Sequence, residues 1–106
     1  DAFWDCPALT SINIPEGITA IEDDTFGYCI SLTNISLPQS LTSIGYWAFS
    51  SCYALTRLTI PDSVTSIDDE AFDGCSDLLL IVGRNTYAAQ YAEENGISCA
   101  FLASDN

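Results

Sequence analysis

The side chains of this 106-residue chain that could do chemistry are five Cys, fifteen Asp and Glu, two Trp and five Tyr, with two Arg and no His. Four of the cysteines, Cys6, Cys29, Cys52 and Cys75, recur at one equal, long interval, and Cys99 stands apart. Zinc sites use Cys pairs two to four residues apart, often completed by His. Neither is present, so neither a metal nor any other cofactor is expected. A free Cys behaves as a small core hydrophobe. The spacing therefore reads as a ladder of buried, reduced thiols, with disulfides between neighbours as the alternative.

Acidic side chains cluster at Glu22-Asp23-Asp24 and at Asp68-Asp69-Glu70. Carboxylates on neighbouring turns could hold calcium, but the alternation of an EF-hand loop is missing. Acids at the start of a helical turn, favoured by its dipole and by solvent, are the simpler reading. A pair such as Asp24 and Asp69 could form a glycosidase dyad only inside a cleft, and nothing builds one. Without His the usual general base and the usual Ser or Cys activator are missing too. The expectation is a non-enzymatic protein with no catalytic residues.

A formal net charge of -13 repels phosphate backbones and anionic lipid surfaces, which argues against nucleic acid as a partner. The longest apolar run, Leu78 to Val82, is five residues, whereas a membrane-spanning helix needs about 20. The opening Asp1-Ala2-Phe3-Trp4 has neither a start Met nor a basic leader, and it is read as the start of a piece of something longer.

The elements that position these groups follow from self-similarity: the sequence superimposes on itself when shifted so that Phe3 falls on Phe26. Phe recurs at Phe3, Phe26, Phe49 and Phe72, Cys three residues later, and Leu three further on at Leu9, Leu32, Leu55 and Leu78. Ile12, Ile35, Leu58 and Ile81 follow in phase, then Ile14, Leu37 and Ile60, then Pro15, Pro38 and Pro61. Ile18, Leu41 and Val64 come next, followed by Ile21, Ile44 and Ile67; Gly83 then breaks the pattern. In each unit two aliphatics two apart make a short half-buried strand, which proline ends. Phe26 and Cys29, three apart, share one face of a short helical turn. One such unit cannot bury its own apolar residues, so units must stack into a solenoid.

The pattern Leu-x-x-Ile-x-Ile-Pro, then Val-Thr-x-Ile, then Ala48-Phe49-Ser50-Ser51-Cys52 and Ala71-Phe72-Asp73-Gly74-Cys75, resembles the BspA-like class of leucine-rich repeats. The resemblance covers Asp1 to about Val82, although Thr25 replaces the Ala of the second unit. It implies an α/β repeat solenoid: a β-rich, right-handed leucine-rich-repeat superhelix with short helical turns. It also implies a secreted or cell-surface protein, bacterial in origin, that binds extracellular or host-matrix proteins and has more repeats ahead of Asp1. Residues 1–83 read as about 3.5 repeat units and residues 84–106 as a C-terminal helix-strand cap. In that cap Asn85-Thr86 starts a helix from Tyr87 to Glu94, Asn95-Gly96 stops it, and Ile97, Cys99 and Phe101 alternate as a last strand. The tail Ala103 to Asn106 is expected to fray. The first unit has no lid, so Phe3 and Leu9 would face preceding repeats or a second molecule in end-to-end association.

Two surfaces are candidates for binding. The strand face presents Ser11 and Asn13, Asn34 and Ser36, then Arg57 and Thr59, outward between buried aliphatics. Asn34-Ile35-Ser36 also fits the glycosylation acceptor pattern. The second surface is aromatic. Trp4, Tyr28, Tyr46, Trp47 and Tyr53 stand where other units have Gly, Asp, Ser, Pro or Ile, so the repeat does not need them. Together on the helical turns they could dock a protein or stack on a glycan, unless they merely cover neighbouring turns. Four strands about 4.8 Å apart span only about 20 Å, short of the ~800 Å² per partner of a stable interface. The expected function is protein binding in adhesion, with glycan binding or a passive spacer role as alternatives.

Overall fold

The computed structural model describes residues 3–102. The expectation for Ala103 to Asn106 lies outside these residues. The chain winds through β1 (Ser11–Asn13), β2 (Ala20–Ile21), β3 (Asn34–Ser36), β4 (Ser43–Ile44), β5 (Arg57–Thr59), β6 (Ser66–Ile67) and β7 (Leu79–Val82). The cap follows as α1 (Tyr87–Glu94) and β8 (Ser98–Phe101). All strand pairs are parallel: β1 with β3, β2 with β4 and β6, β5 with β7 and β8. β3 runs beside β5, so five strands lie along one side of the solenoid.

The sequence period is kept in the ladders: Ile12 pairs with Ile35, and Ile21 lines up with Ile44 and Ile67. On the side away from the strands the expected helical turns are chained turns. Thr25, Gly27 and Cys29 N–H donate to the carbonyls of Glu22, Asp24 and Phe26, three residues back in each case. Neighbouring turns are tied by Phe3 to Thr25, Phe26 to Ala48 and Phe49 to Ala71, each N–H to carbonyl at 2.8 Å.

Two ladders run through the core. Phe3, Phe26, Phe49 and Phe72 stack ring on ring, with centroids 5.2, 5.4 and 5.4 Å apart and planes within 9° of parallel. Such pairs add about 0.5–1.5 kcal/mol each beyond burial. Tyr91 of α1 ends the stack edge-on, 6.4 Å from Phe72. Beside the rings the thiols of Cys29, Cys52 and Cys75 donate to the carbonyls of Phe3, Phe26 and Phe49 at 3.1, 3.1 and 3.0 Å. All five cysteines are free. Burial pushes the Cys29 thiol up from its ordinary value. The Cys52 and Cys75 thiols share a hydrogen bond that pushes Cys52 up and Cys75 down.

The fourth unit departs from the expected phase. Leu58 pairs with Leu80 and Thr59 with Ile81, one residue short of the interval that the other ladders keep. Leu80 and Val82 are fully buried, whereas Leu79 and Ile81 face outward and are half-buried. Ile81 is therefore not the core equivalent of Leu58. The cause is the apolar run Leu78 to Val82: both strand phases are hydrophobic, so dropping one residue flips the strand without exposing the core.

The cap forms as expected. Thr86 accepts the Ala89 N–H at 3.2 Å as N-cap, and Asn95 and Gly96, with φ 69°, end α1. The Tyr87 hydroxyl accepts the Ile67 N–H at 3.1 Å and donates to the Ile67 carbonyl at 3.3 Å. It thereby occupies the open edge of β6 as another strand would. Tyr91 donates to the Asp68 carbonyl at 2.8 Å.

Leu80→Ala is expected to cost about 2–5 kcal/mol and Ile81→Ala less than about 1 kcal/mol in urea unfolding; equal costs would contradict the shifted register. The folded thiol of Cys29 and the phenol of Tyr91, both pushed up chiefly by burial, keep their protons to higher pH than the unfolded chain does. From neutral pH, urea midpoints should therefore be flat up to the ordinary thiol value of 9.0 and fall above it. A Cys29→Ala variant should lose less over the same interval.

Candidate functional site

The strand face is built by alternation. Ile35 and Leu58 point into the core while Asn34, Ser36, Arg57 and Thr59 on either side point to solvent. The register sets Ser11 beside Asn34 and Asn13 beside Ser36. It also sets Leu79 beside Arg57, Ile81 beside Thr59, and Ser98 and Ala100 beyond them. All five candidate residues of this face, Asn13, Asn34, Ser36, Arg57 and Thr59, are exposed. The rows run from amides and hydroxyls through a guanidinium to half-buried Leu79 and Ile81. Those two aliphatics were missed in the sequence because a strictly regular repeat puts Ile81 in the core. The unbroken apolar run was the available signal.

On the turn face the aromatics form two separate pairs. Trp4 and Tyr28 meet edge to face at 5.0 Å, and Tyr46 and Trp47 stack at 4.7 Å with planes 16° apart. Trp4 sits on Gly27, where a Cβ would run into the indole ring. Tyr53 is set apart from both pairs and is 59% exposed. Ile30, one repeat before it, is exposed as well and extends this apolar row.

Backbone strain follows the same surface. Asp5, Tyr28, Ser51 and Gly74, one per repeat, all have positive φ, of 57, 59, 56 and 84°. Gly is the residue this conformation suits, and a bulky residue there is an outlier. Trp47, with φ 57°, is a second such outlier. Two of the five candidate aromatics therefore occupy positions the backbone would rather give to glycine.

Asp24 is partly buried and Asp69 is exposed. They lie two turns apart, and neither lines the two large grooves at the ends of the solenoid. One groove, of about 310 Å³, lies on the first turn among Phe3, Ile12, Ile14, Ile18 and Ile21. The other, of about 860 Å³, lies on the cap beside Phe101 and Arg84, whose guanidinium sits 4.5 Å from the Phe101 ring centroid. Among the described residues no three His, Cys, Asp or Glu converge as a metal site, and no helix is long and apolar enough to cross a membrane.

Residues 1–94 match the family described as BspA type Leucine rich repeat region (6 copies). The chain belongs to the BspA-type leucine-rich repeat family. Solved structures agree. A leucine-rich repeat protein from Bacteroides ovatus is 44% identical over 76% of this chain and 21% of its own, with a TM-score of 0.70. The leucine-rich repeat protein of T. pallidum is 29% identical over 76% of this chain and 49% of its own, at 0.66. A leucine rich cell surface protein from Faecalibacterium prausnitzii shares the fold at 19% identity, over 91% of this chain and 33% of its own, at 0.62. This chain therefore spans less than half the length of each of these relatives. No curated protein matches it. Membership of a leucine-rich repeat family makes the chain a protein-interaction type of repeat module.

Gly27→Ala is expected to lift Trp4 from its seat, shifting tryptophan emission to the red and costing at least about 1 kcal/mol. An unchanged spectrum with unchanged stability would contradict the close approach.

Proposed function

We propose that this chain is a non-enzymatic binding segment of a bacterial cell-surface protein, acting in adhesion by meeting extracellular or host-matrix proteins on its strand face. The observation carrying this reading is the pair of outward rows in which exposed Arg57 stands beside half-buried Leu79, and exposed Thr59 beside half-buried Ile81. Arg is among the residues enriched in interface hot spots, and apolar neighbours serve there to exclude water around such an anchor. Neither Arg57 nor the outward side chain of Ile81 is used to close the core. The surface setting is supported by the likeness to the leucine rich cell surface protein of Faecalibacterium prausnitzii. Five strands about 4.8 Å apart still make a small face, so micromolar rather than nanomolar affinity fits it.

The test is binding of the folded chain to immobilised matrix proteins, measured for Arg57→Ala, Ile81→Ser and, on the cap, Gln90→Ala. The expected result is at least about tenfold weaker binding for the first two, with unchanged circular dichroism and no effect of the third. Binding indifferent to all three would leave the chain a passive spacer.

A further inference from the structure

Tyr46 and Trp47 form the most closely stacked pair of rings on the surface of the molecule, and neither ring is needed by the repeat. The turns on both sides of them carry carboxylates. On the preceding turn the Tyr46 N–H donates to Asp23 Oδ1 at 2.9 Å, and the Asp24 N–H donates to the Tyr46 carbonyl at 2.9 Å. On the following turn Trp47 Nε1–H donates to Glu70 Oε1 at 3.2 Å, and Asp68 Oδ1 accepts the Glu70 N–H at 2.9 Å. Asp24 Oδ1 is shielded and has no hydrogen-bond donor among the described residues. Both cations of the chain are elsewhere: Arg84 lies over Phe101 in the cap and Arg57 is on the strand face.

A flat aromatic pair attracts cations through its ring faces, and negative charge on both sides strengthens that attraction. We propose that the Tyr46–Trp47 face takes the Lys or Arg side chains of a basic segment on a partner protein. This rests on the protein-binding reading above and names the chemistry of the partner at a second surface. The guanidinium or ammonium lies against the rings while Glu70 receives its hydrogen bonds and the neighbouring carboxylates add negative charge. The local field is already visible in the Tyr46 phenol, which is pushed up by desolvation and then by the Glu70 carboxylate, with Asp24 and Asp68 adding to it. A neutral glycan could use the rings but would leave this charge unmatched. Anionic partners are repelled.

The test uses the folded chain with Trp4→Phe, so that Trp47 is the sole reporter, titrated with a hexa-arginine peptide and with its uncharged hexa-citrulline counterpart. The expected result is a saturable change in Trp47 emission with the arginine peptide only, weakened by salt. Tyr46→Ser, which removes no charge, and Glu70→Gln should each weaken it about two- to fivefold. Glu93→Gln/Glu94→Gln, two charges removed on the cap, should leave it unchanged. No Trp47 response overturns the proposal. So does equal weakening by the cap variant, which would reduce the effect to net charge, and so does a response to neutral oligosaccharides instead. Matrix-protein binding that needs Arg57 yet survives Tyr46→Ser would overturn this proposal while leaving the strand-face reading intact.

Discussion

The stack of Phe3, Phe26, Phe49 and Phe72 is the contact on which the rest of the molecule depends. Each ring is covered by its neighbours in the adjoining turns, so no unit has a core of its own. The thiol ladder follows from the same geometry. Once the rings are about 5 Å apart, the Phe carbonyl of one turn lies within reach of a Cys on a following turn, and a thiol meets it without losing packing. The outward strand residues are held in straight rows because the rings hold the turns in register. A fault in that stack would therefore scatter both candidate surfaces at once.

The periodic part of the architecture was legible because identity and spacing recur together. Phe, Cys and Leu at fixed offsets leave one way to bury them all, and Thr86 and Gly96 mark the cap by their own backbone chemistry. What was missed was the one-residue shortening after Leu78, which the unbroken apolar run permits but does not specify. A repeat extrapolated at its regular period predicts an inward Ile81, and only the pairing of Leu58 with Leu80 corrects it. The expectation that all five aromatics come together also met a limit. Their sequence positions place them on the turns, but whether Trp4 joins Tyr28 or Trp47 depends on ring orientation and on the space above Gly27. Strain at Tyr28 and Trp47 is likewise a backbone property, invisible until φ is known.

The two surfaces differ in how they relate to the fold. The strand face is a by-product of alternation: any sequence keeping the inward aliphatics exposes something there. The aromatic turn face is held against backbone preference, with bulky residues where Gly74 shows what the conformation suits. Local strain of this kind persists where surrounding structure enforces it and tends to gather at functional positions.

The Tyr87 hydroxyl at the edge of β6 gives the solenoid a direction. One side chain answers both the donor and the acceptor that a further strand would have used, and Tyr91 closes the ring stack next to it. A turn offered at that end finds its seat taken, whereas the opposite end still presents aliphatic side chains in a groove. Along this ladder the two ends are thus unlike: the β6 edge is spent on a side chain, whereas the β2 edge still has its backbone groups to offer.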